Sequence, residues 1–311
     1  MEARKSRFVD RVYAAVQNPV VIALVGLGAH LAVSFLGRPM GNDEAVWSFM
    51  GRSWVEDGQM PWRDLYESKP AFVYLLYGFS HLVFGYNGWF VRVAAIFATM
   101  VTAWALYRIT LAIANKRSAI FTMIIFLFTS ALLIVDGPFA QTEGFMNVFH
   151  VVSVLSVILA YREGQSAAAG WVIASGFFYG AAVSTKQIAL LDALPLLVFH
   201  LVLGAKHLQS ILRVFFLSAA GTVMAVVLLF APLWRIGVTW WDYYDGAWLV
   251  LFQVQANNAL SRISGFFRQF FQPQLFFLYA GAAMLFFQHR FLRAKLPMYL
   301  PLVAWVITDF F

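Results

Sequence analysis

The sequence alternates between long apolar stretches and short polar turns, and this pattern constrains the fold more than any other feature. Residues 19–37, for example, form an uncharged run long enough to cross the hydrocarbon layer of a membrane as a helix. Only 12% of the 311 residues are charged, and 61% are hydrophobic. Lipid offers no hydrogen-bond partners to exposed backbone, so spanning helices are the expected structure. The sequence therefore predicts an all-α, polytopic transmembrane helical bundle that forms a single domain over residues 1–311.

The charge and cysteine content narrow the possible functions. The net charge is +7, and the basic residues are dispersed between the apolar runs, which favours contacts with anionic lipid over binding of nucleic acid. The absence of cysteine excludes disulfides and thiolate metal sites. Residues 1–17 are polar and basic and no small-residue cleavage site follows them, so we expect no cleavable signal peptide.

Basic residues before the first apolar run set the expected orientation. The positive-inside rule places the N-terminus in the cytoplasm and residues 38–89 in a large outer loop of an integral protein of the cytoplasmic membrane. Within that loop, Trp47, Met50 and Trp54 follow i, i+3, i+7 spacing, which is typical of an amphipathic helix lying in the membrane interface. A second large outer loop is predicted over residues 233–269.

Whether residues 70–84 cross the membrane decides on which side every later turn lies. They are apolar enough to resemble a span, but the run is short, contains His81, starts after Ser68 and stops at Gly85. If this run crossed the membrane, the basic turns that follow would all face outside, against the positive-inside rule. The charge pattern therefore favours a second interfacial helix and about nine spans, with the C-terminus outside. The predicted spans are residues 19–37, 90–114, 118–135, 144–160, 168–185, 188–203, 212–231, 270–288 and 296–311.

The outer face then collects the residues that can do chemistry. It holds several acids and, against the positive-inside rule, several cations. The second loop also carries several aromatic side chains. The candidates are Asp43, Glu44, Glu143, Lys69, Arg92, Lys186, Arg235, Trp241 and Tyr244. Asp192 lies well inside a span, and we expect it to have a partner within the bundle.

The order and spacing of short motifs over residues 41–186 resemble the GT-C glycosyltransferases, in particular the protein O-mannosyltransferase-like and lipid A aminoarabinose transferase-like branches. The matching runs are Asn42-Asp43-Glu44-Ala45-Val46-Trp47, Pro61-Trp62-Arg63-Asp64-Leu65-Tyr66-Glu67-Ser68-Lys69-Pro70, Leu82 to Arg92 with its Phe84-Gly85 turn, Ala140-Gln141-Thr142-Glu143, and Ser184-Thr185-Lys186. Residues after this region match in span pattern alone. Family members usually run longer, so a C-terminally truncated chain is one interpretation.

The resemblance implies an inverting enzyme that transfers a hexosyl or pentosyl group from a polyprenyl-monophosphate carrier to a protein, lipid or glycan acceptor at the outer face. It implies that Asp43 is the base, that Glu44 orients it or shares its proton, and that Glu143 is the second acid. The four cations would bind the carrier phosphate through charge-assisted hydrogen bonds, and Trp241 and Tyr244 would stack on the sugar or the isoprenoid. The aminoarabinose transferases have a Glu–His metal site whose Glu stands just before the Lys-Pro, where this chain has Ser68. The six histidines show no ligand spacing, so we predict neither a metal nor another cofactor.

Each assignment has a structural alternative. Asp43 is also placed to be a helix N-cap, and Glu143 to be a first-turn acid stabilised by the helix dipole. The cations are also able to snorkel to lipid headgroups, and the aromatic residues to form an interfacial belt. Two further functions stay open: a transporter or flippase for a lipid-linked or anionic solute, and an inactive carrier-binding subunit. The transporter is disfavoured because the chain shows no internal repeat and its charges lie at one face.

Overall fold

The computed structural model describes residues 17–35, 39–66, 68–85, 88–132, 139–161, 168–203 and 207–250. These residues are predominantly helical, with an isolated bridge between Pro61 and Leu65. The main helices are α1 (Pro19–Phe35), α2 (Asn42–Asp57), α3 (Ala71–Phe84), α4 (Trp89–Ile113), α5 (Lys116–Thr129), α6 (Thr142–Ala160), α7 (Ala169–Val183), α8 (Ala193–Leu203) and α9 (Leu208–Arg235). A 3₁₀ turn, Gln187–Asp192, precedes α8, and a one-turn helix, α10 (Trp240–Tyr243), and a π-helical turn (Tyr244–Leu249) follow α9. The all-α membrane class is confirmed.

The length of each helix limits which ones can cross a membrane. Three described helices, α4, α6 and α9, are long and apolar enough to do so, and α1, α3, α7 and the segment Gln187–Leu203 are shorter apolar elements. The predicted span 188–203 is divided, because a 3₁₀ turn runs to Asp192 before α8 begins. The predicted spans 270–288 and 296–311 lie outside the described residues, so the count of nine stays a prediction.

The helix α3 has both of its ends at the same end of the bundle. In its first turn, the Phe72 N–H donates to Ser184 O, just past the end of α7, at 2.9 Å. Its last residue, Phe84, stacks on Phe90 in the first turn of α4, with ring centroids 4.5 Å apart. With 14 residues, α3 is about 21 Å long, shorter than a hydrocarbon layer of about 30 Å. It therefore lies across the helix ends; its position in a membrane interface stays a prediction.

We call the end of the bundle where α4 and α6 begin and α7 and α9 end the site end. A buried apolar cluster there joins the two segments that the sequence assigns to separate outer loops. Trp62 lies between Tyr74 and Tyr243, with ring centroids 4.8 and 4.9 Å away. Leu233, at the end of α9, belongs to the same cluster. The tract after α2 and the turn after α9 thus form one layer over the site end.

The helices α7 and α9 cross at backbone contact. A Cβ added to Gly176 would lie 2.0 Å from Ser218 O, and one added to Gly221 would lie 2.1 Å from Ile173 O. Both distances are far shorter than any real carbon–oxygen contact, so glycine is required on each side. Such small-residue crossings are a common means of packing helices in lipid. This contact fixes the end of α7, and with it Lys186, relative to α9.

Candidate active site

The start of α2 separates the two adjacent acids. Gly41 is the N-cap residue, and its N–H donates to Glu44 Oε2 at 2.8 Å. Asp43 is the second residue of the helix, so the alternative that Asp43 is the N-cap is wrong. Its side chain is exposed and accepts no hydrogen bond from the described residues. An exposed carboxylate in the first helical turn is also favoured by the helix dipole.

Glu44 and Arg92 form a buried ion pair, with Arg92 Nη2 3.0 Å from Glu44 Oε2. They are 1% and 7% exposed. The Ala140 N–H donates to the other carboxylate oxygen at 2.6 Å. The guanidinium also donates to Ser34 O at 2.9 Å and to Pro39 O at 2.7 Å. The pair thus ties the beginnings of α2, α4 and α6 to the end of α1.

This pair involves two residues with predicted roles. Arg92 is expected to bind the carrier phosphate, and Glu44 to orient Asp43 or share its proton; both roles stay predictions. Both side chains are buried against protein groups, because a buried charge is stable only where it is paired and hydrogen-bonded. The contacts of this pair connect the helix ends that surround Asp43.

Glu143 and Lys186 form a second, more exposed ion pair at the site end. Glu143 lies in the first turn of α6, as one interpretation predicted, and Lys186 follows α7. Their side chains are 53% and 27% exposed. Glu143 comes three residues after Ala140, whose N–H is held by Glu44, and three residues of chain reach at most about 11 Å. Glu143 therefore lies at the same end of the bundle as Asp43.

Lys69 lies beside the start of α2. Its Nζ is 5.9 Å from the centroid of the Trp47 ring, and Trp47 is one helical turn after Asp43. The segment that carries Lys69 is also bonded to the one that carries Lys186. Besides the contact between Phe72 and Ser184, the Gln187 side-chain amide donates to Ser68 O. The two lysines therefore stand on neighbouring segments.

The candidates from the second outer loop lie at the rim of this region. Arg235 is the last residue of α9 and is exposed. Trp241 and Tyr244 are 74% and 40% exposed, with ring centroids 6.0 Å apart. Their exposure suits both the stacking and the aromatic-belt interpretations, and the phosphate-binding role of Arg235 stays a prediction.

Sequence reasoning missed three residues that organise the site. Gln187 bonds to two other segments, and Tyr77 donates its hydroxyl to Ala140 O at 3.1 Å. His150 is the expected partner of Asp192: its Nδ1 is 3.1 Å from Asp192 Oδ2, and both side chains are almost fully buried. This pair could have been predicted, because His150 and Asp192 are polar residues within apolar runs and such residues usually pair with each other. Gln187, which is neutral and follows Lys186 directly, offered none.

The described residues do not form a candidate metal site. Among the described residues, no three His, Asp or Glu side chains are grouped closely enough to hold a metal ion. Ser68, at the position of the metal-binding Glu in the aminoarabinose transferases, contributes its carbonyl oxygen to Gln187. The prediction that this chain uses no metal stays a prediction.

Comparison with known proteins identifies the family. A family model described as dolichyl-phosphate-mannose-protein mannosyltransferase matches residues 68–235. A relative from Enterobacter sp. (strain 638), named undecaprenyl phosphate-alpha-4-amino-4-deoxy-L-arabinose arabinosyl transferase, is 27% identical over 203 residues, which is 62% of this chain and 35% of the relative. A relative of the same name from Shewanella sediminis (strain HAW-EB3) is 24% identical over 236 residues, or 72% and 42%. This chain spans less than half the length of these relatives.

The matched region contains Lys69, Arg92, Glu143 and Lys186, and begins after Asp43. It covers more than half of the 311 residues, and the resemblance seen in the motifs is confirmed. The chain is an integral membrane protein that belongs to the dolichyl-phosphate-mannose-protein mannosyltransferase family of GT-C glycosyltransferases.

Proposed function

We propose that this chain is the catalytic membrane domain of a glycosyltransferase that moves a sugar from a polyprenyl-monophosphate carrier to an acceptor hydroxyl. The reaction takes place at the extracytoplasmic face of the cytoplasmic membrane, and the N-terminus is cytoplasmic. Family membership supports the class of reaction, and the relatives named for undecaprenyl phosphate support the class of donor. The observation that supports the proposal is the exposed Asp43 carboxylate one helical turn before Trp47, whose ring lies beside Lys69, at the end of the bundle that also holds Lys186.

Asp43 acts as the general base. The acceptor oxygen attacks the anomeric carbon of the sugar while its proton passes to the Asp43 carboxylate. The bond between the anomeric carbon and the phosphate oxygen breaks, and its electron pair leaves with the polyprenyl monophosphate. Attack from the face opposite to the leaving group inverts the anomeric configuration. The balance is one sugar transferred, one carrier monophosphate released and one proton taken up by Asp43.

The two lysines stabilise the departing phosphate. Charge-assisted hydrogen bonds from ammonium groups are strongest where negative charge develops in the transition state. Lys69 is half-buried beside Trp47, and Lys186 is paired with Glu143. Exposed ion pairs contribute little to stability, so a phosphate can take the place of Glu143 on Lys186 at small cost. The carboxylate of Glu143 is then released to the acceptor.

The remaining residues position these groups or extend the donor site. The Glu44–Arg92 pair fixes the helix turn that presents Asp43, since catalytic side chains need a rigid support. Trp241 and Tyr244 stack on the sugar or the first isoprene units, and Arg235 lies at the rim as a further cation. The transferred group is a pentosyl or hexosyl unit.

The test compares two acids of the same helix. Asp43→Asn should lower kcat at least about 100-fold, because the base is lost, while expression and the unfolding temperature stay as in the wild type. Asp57→Asn is the matched control: it changes an exposed acid at the other end of α2 and should leave kcat within about twofold. The assay supplies an undecaprenyl-phosphate-linked sugar to membranes holding the protein, and measures the release of undecaprenyl phosphate by mass spectrometry.

Turnover of Asp43→Asn at the wild-type rate would remove Asp43 from the mechanism. Movement of the donor across a proteoliposome membrane without any transferred sugar would instead assign the protein to transport.

A further inference from the structure

The side chain of Gln187 joins three segments that are far apart in the sequence. Gln187 begins the 3₁₀ turn after α7 and is 6% exposed. Its Nε2 donates to Ser68 O in the tract before α3, and to Ala247 O in the turn after α9 at 2.6 Å. A primary amide has two N–H groups, and both are used here.

Each of these segments carries a residue of the proposed donor site. Lys69 is next to Ser68, and Lys186 is next to Gln187. Ala247 lies in the turn that begins at Tyr244, directly after the helix that carries Trp241. The two hydrogen bonds of one nitrogen thus connect both phosphate-binding lysines with the exposed aromatic pair.

A side chain that bonds to both carbonyl oxygens must be neutral and must have two N–H donors. Both partners of the amide are carbonyl oxygens, so a carboxylate at this position would be repelled by them, and an apolar side chain would leave them without a donor. An ammonium group would donate, but burying its charge here is costly. Glutamine meets the requirement without a charge, and its reach spans the gap between the two carbonyls.

We propose that Gln187 is a positioning residue for the donor: it sets the spacing of Lys69 and Lys186 and aligns them with Trp241 and Tyr244. This inference rests on the proposed function, because it assigns the donor phosphate and sugar to these side chains. It concerns donor binding alone, since Asp43 is held by the separate Glu44–Arg92 pair. Loss of the amide should therefore weaken donor binding and leave acceptor binding unchanged.

The first experiment measures the connection without any substrate. The chain has no cysteine, so spin labels can be attached at Tyr66→Cys and Leu190→Cys, which are 75% and 50% exposed in the native protein. Double electron–electron resonance between the two labels should give a narrow distance distribution in the protein with Gln187. With Gln187→Met, the distribution should be at least about twice as wide, because methionine has a similar length but no hydrogen-bond donor. Gln59→Met, at an exposed glutamine, is the control and should not change the width.

The second experiment separates donor from acceptor kinetics. Gln187→Met should raise the KM for the polyprenyl-phosphate sugar about tenfold, in keeping with the loss of two buried hydrogen bonds, and keep the acceptor KM within about twofold. Gln187→Glu should raise the donor KM further, since its carboxylate faces two carbonyl oxygens. Gln59→Met should match the wild type in both constants.

The outcomes distinguish this inference from the proposed function. An unchanged distance distribution in Gln187→Met, or equal rises in both KM values, would overturn the positioning role. If the wild type transfers no sugar, the proposed function fails, and the spin-label widths still decide whether Gln187 holds the segments together. If Gln187→Met does not fold, Gln187→Asn takes its place. That variant keeps both donors but is too short to reach both carbonyls, so a width equal to the wild type would again refute the inference.

Discussion

Two neighbouring carboxylates, Asp43 and Glu44, have opposite environments because successive helical residues point about 100° apart. Glu44 faces inward, where Arg92, Gly41 and Ala140 satisfy its oxygens. Asp43 faces outward and is exposed. The sequence indicated the acidic pair but could not assign the two roles, since burial of Glu44 depends on Arg92 and Ala140, which lie 48 and 96 residues further along the chain.

The buried pair should be strongly coupled. Glu44→Gln or Arg92→Met alone should each lower the free energy of unfolding by about 3–5 kcal/mol, because each leaves a buried charge without its counter-charge. The double variant should be less destabilised than the sum of the two single variants. Thermal unfolding in detergent measures all three.

The control for this prediction is Glu56→Gln. Glu56 is an exposed residue of α2 that pairs with Arg52 on the same helix and with His81 of α3, and hydrogen bonds and charge from these two partners hold the pKa of Glu56 below its ordinary value. The lowered pKa means that the ionised carboxylate contributes stability near neutral pH, but solvent screens an exposed pair, so the loss in Glu56→Gln should be small beside that in Glu44→Gln. Additive effects of Glu44→Gln and Arg92→Met would show that the two charges are not coupled.

At the scale of helices, the apolar pattern predicted most elements but not where they break. The predicted span 168–185 is close to α7, because the polar Ser-Thr-Lys step ends the apolar run there. The predicted span 188–203 corresponds to one apolar helical segment, Gln187–Leu203, but its first part, up to Asp192, is a 3₁₀ turn. Asp192 is held by His150 on another helix, and Pro195 favours a new helix start at Ala193 because proline suits a first turn. The contact with His150 is invisible in a single sequence.

The crossing of α7 and α9 should not tolerate a single added methyl group. Gly176→Ala should destabilise the protein by about 1–3 kcal/mol, because the new Cβ would overlap the backbone of Ser218 and push the helices apart. Gly170→Ala, on the same helix with open space around the added Cβ, should be neutral or slightly stabilising. Thermal unfolding of the two variants in the same detergent makes the comparison. Equal stabilities would mean that the helices do not meet at backbone contact.

The whole molecule has its candidate site at one end because α3 lies across the bundle instead of passing through it. This keeps the starts of α2, α4 and α6 together with the end of α7. Charge counting along the sequence predicted such an arrangement for residues 70–84. It could not predict that the two outer loops share the cluster around Trp62 and Tyr243, because side-chain packing between distant segments leaves no local pattern.

Cysteine labelling tests this topology directly. The chain has no cysteine, so Gln59→Cys, before α3, and Lys116→Cys, after α4, each provide a single exposed thiol. With α3 across the end of the bundle, α4 is the only crossing between the two positions, and they should lie on opposite sides of the membrane. A membrane-impermeant maleimide should label Gln59→Cys in intact cells, and Lys116→Cys after permeabilisation alone. Labelling of both from outside would mean that α3 crosses.

The layer over the site end has a consequence for biosynthesis. Trp62 emerges from the ribosome early, whereas its ring partner Tyr243 is made only after α9. Gln187 likewise has its acceptor Ser68 already in place, but its second acceptor, Ala247, is made only after α9. A nascent chain that has inserted α1 to α8 therefore lacks both of these late partners. If Lys69 and Lys186 bind the carrier phosphate as proposed, productive binding of the carrier should require that α9 has been delivered to the bilayer.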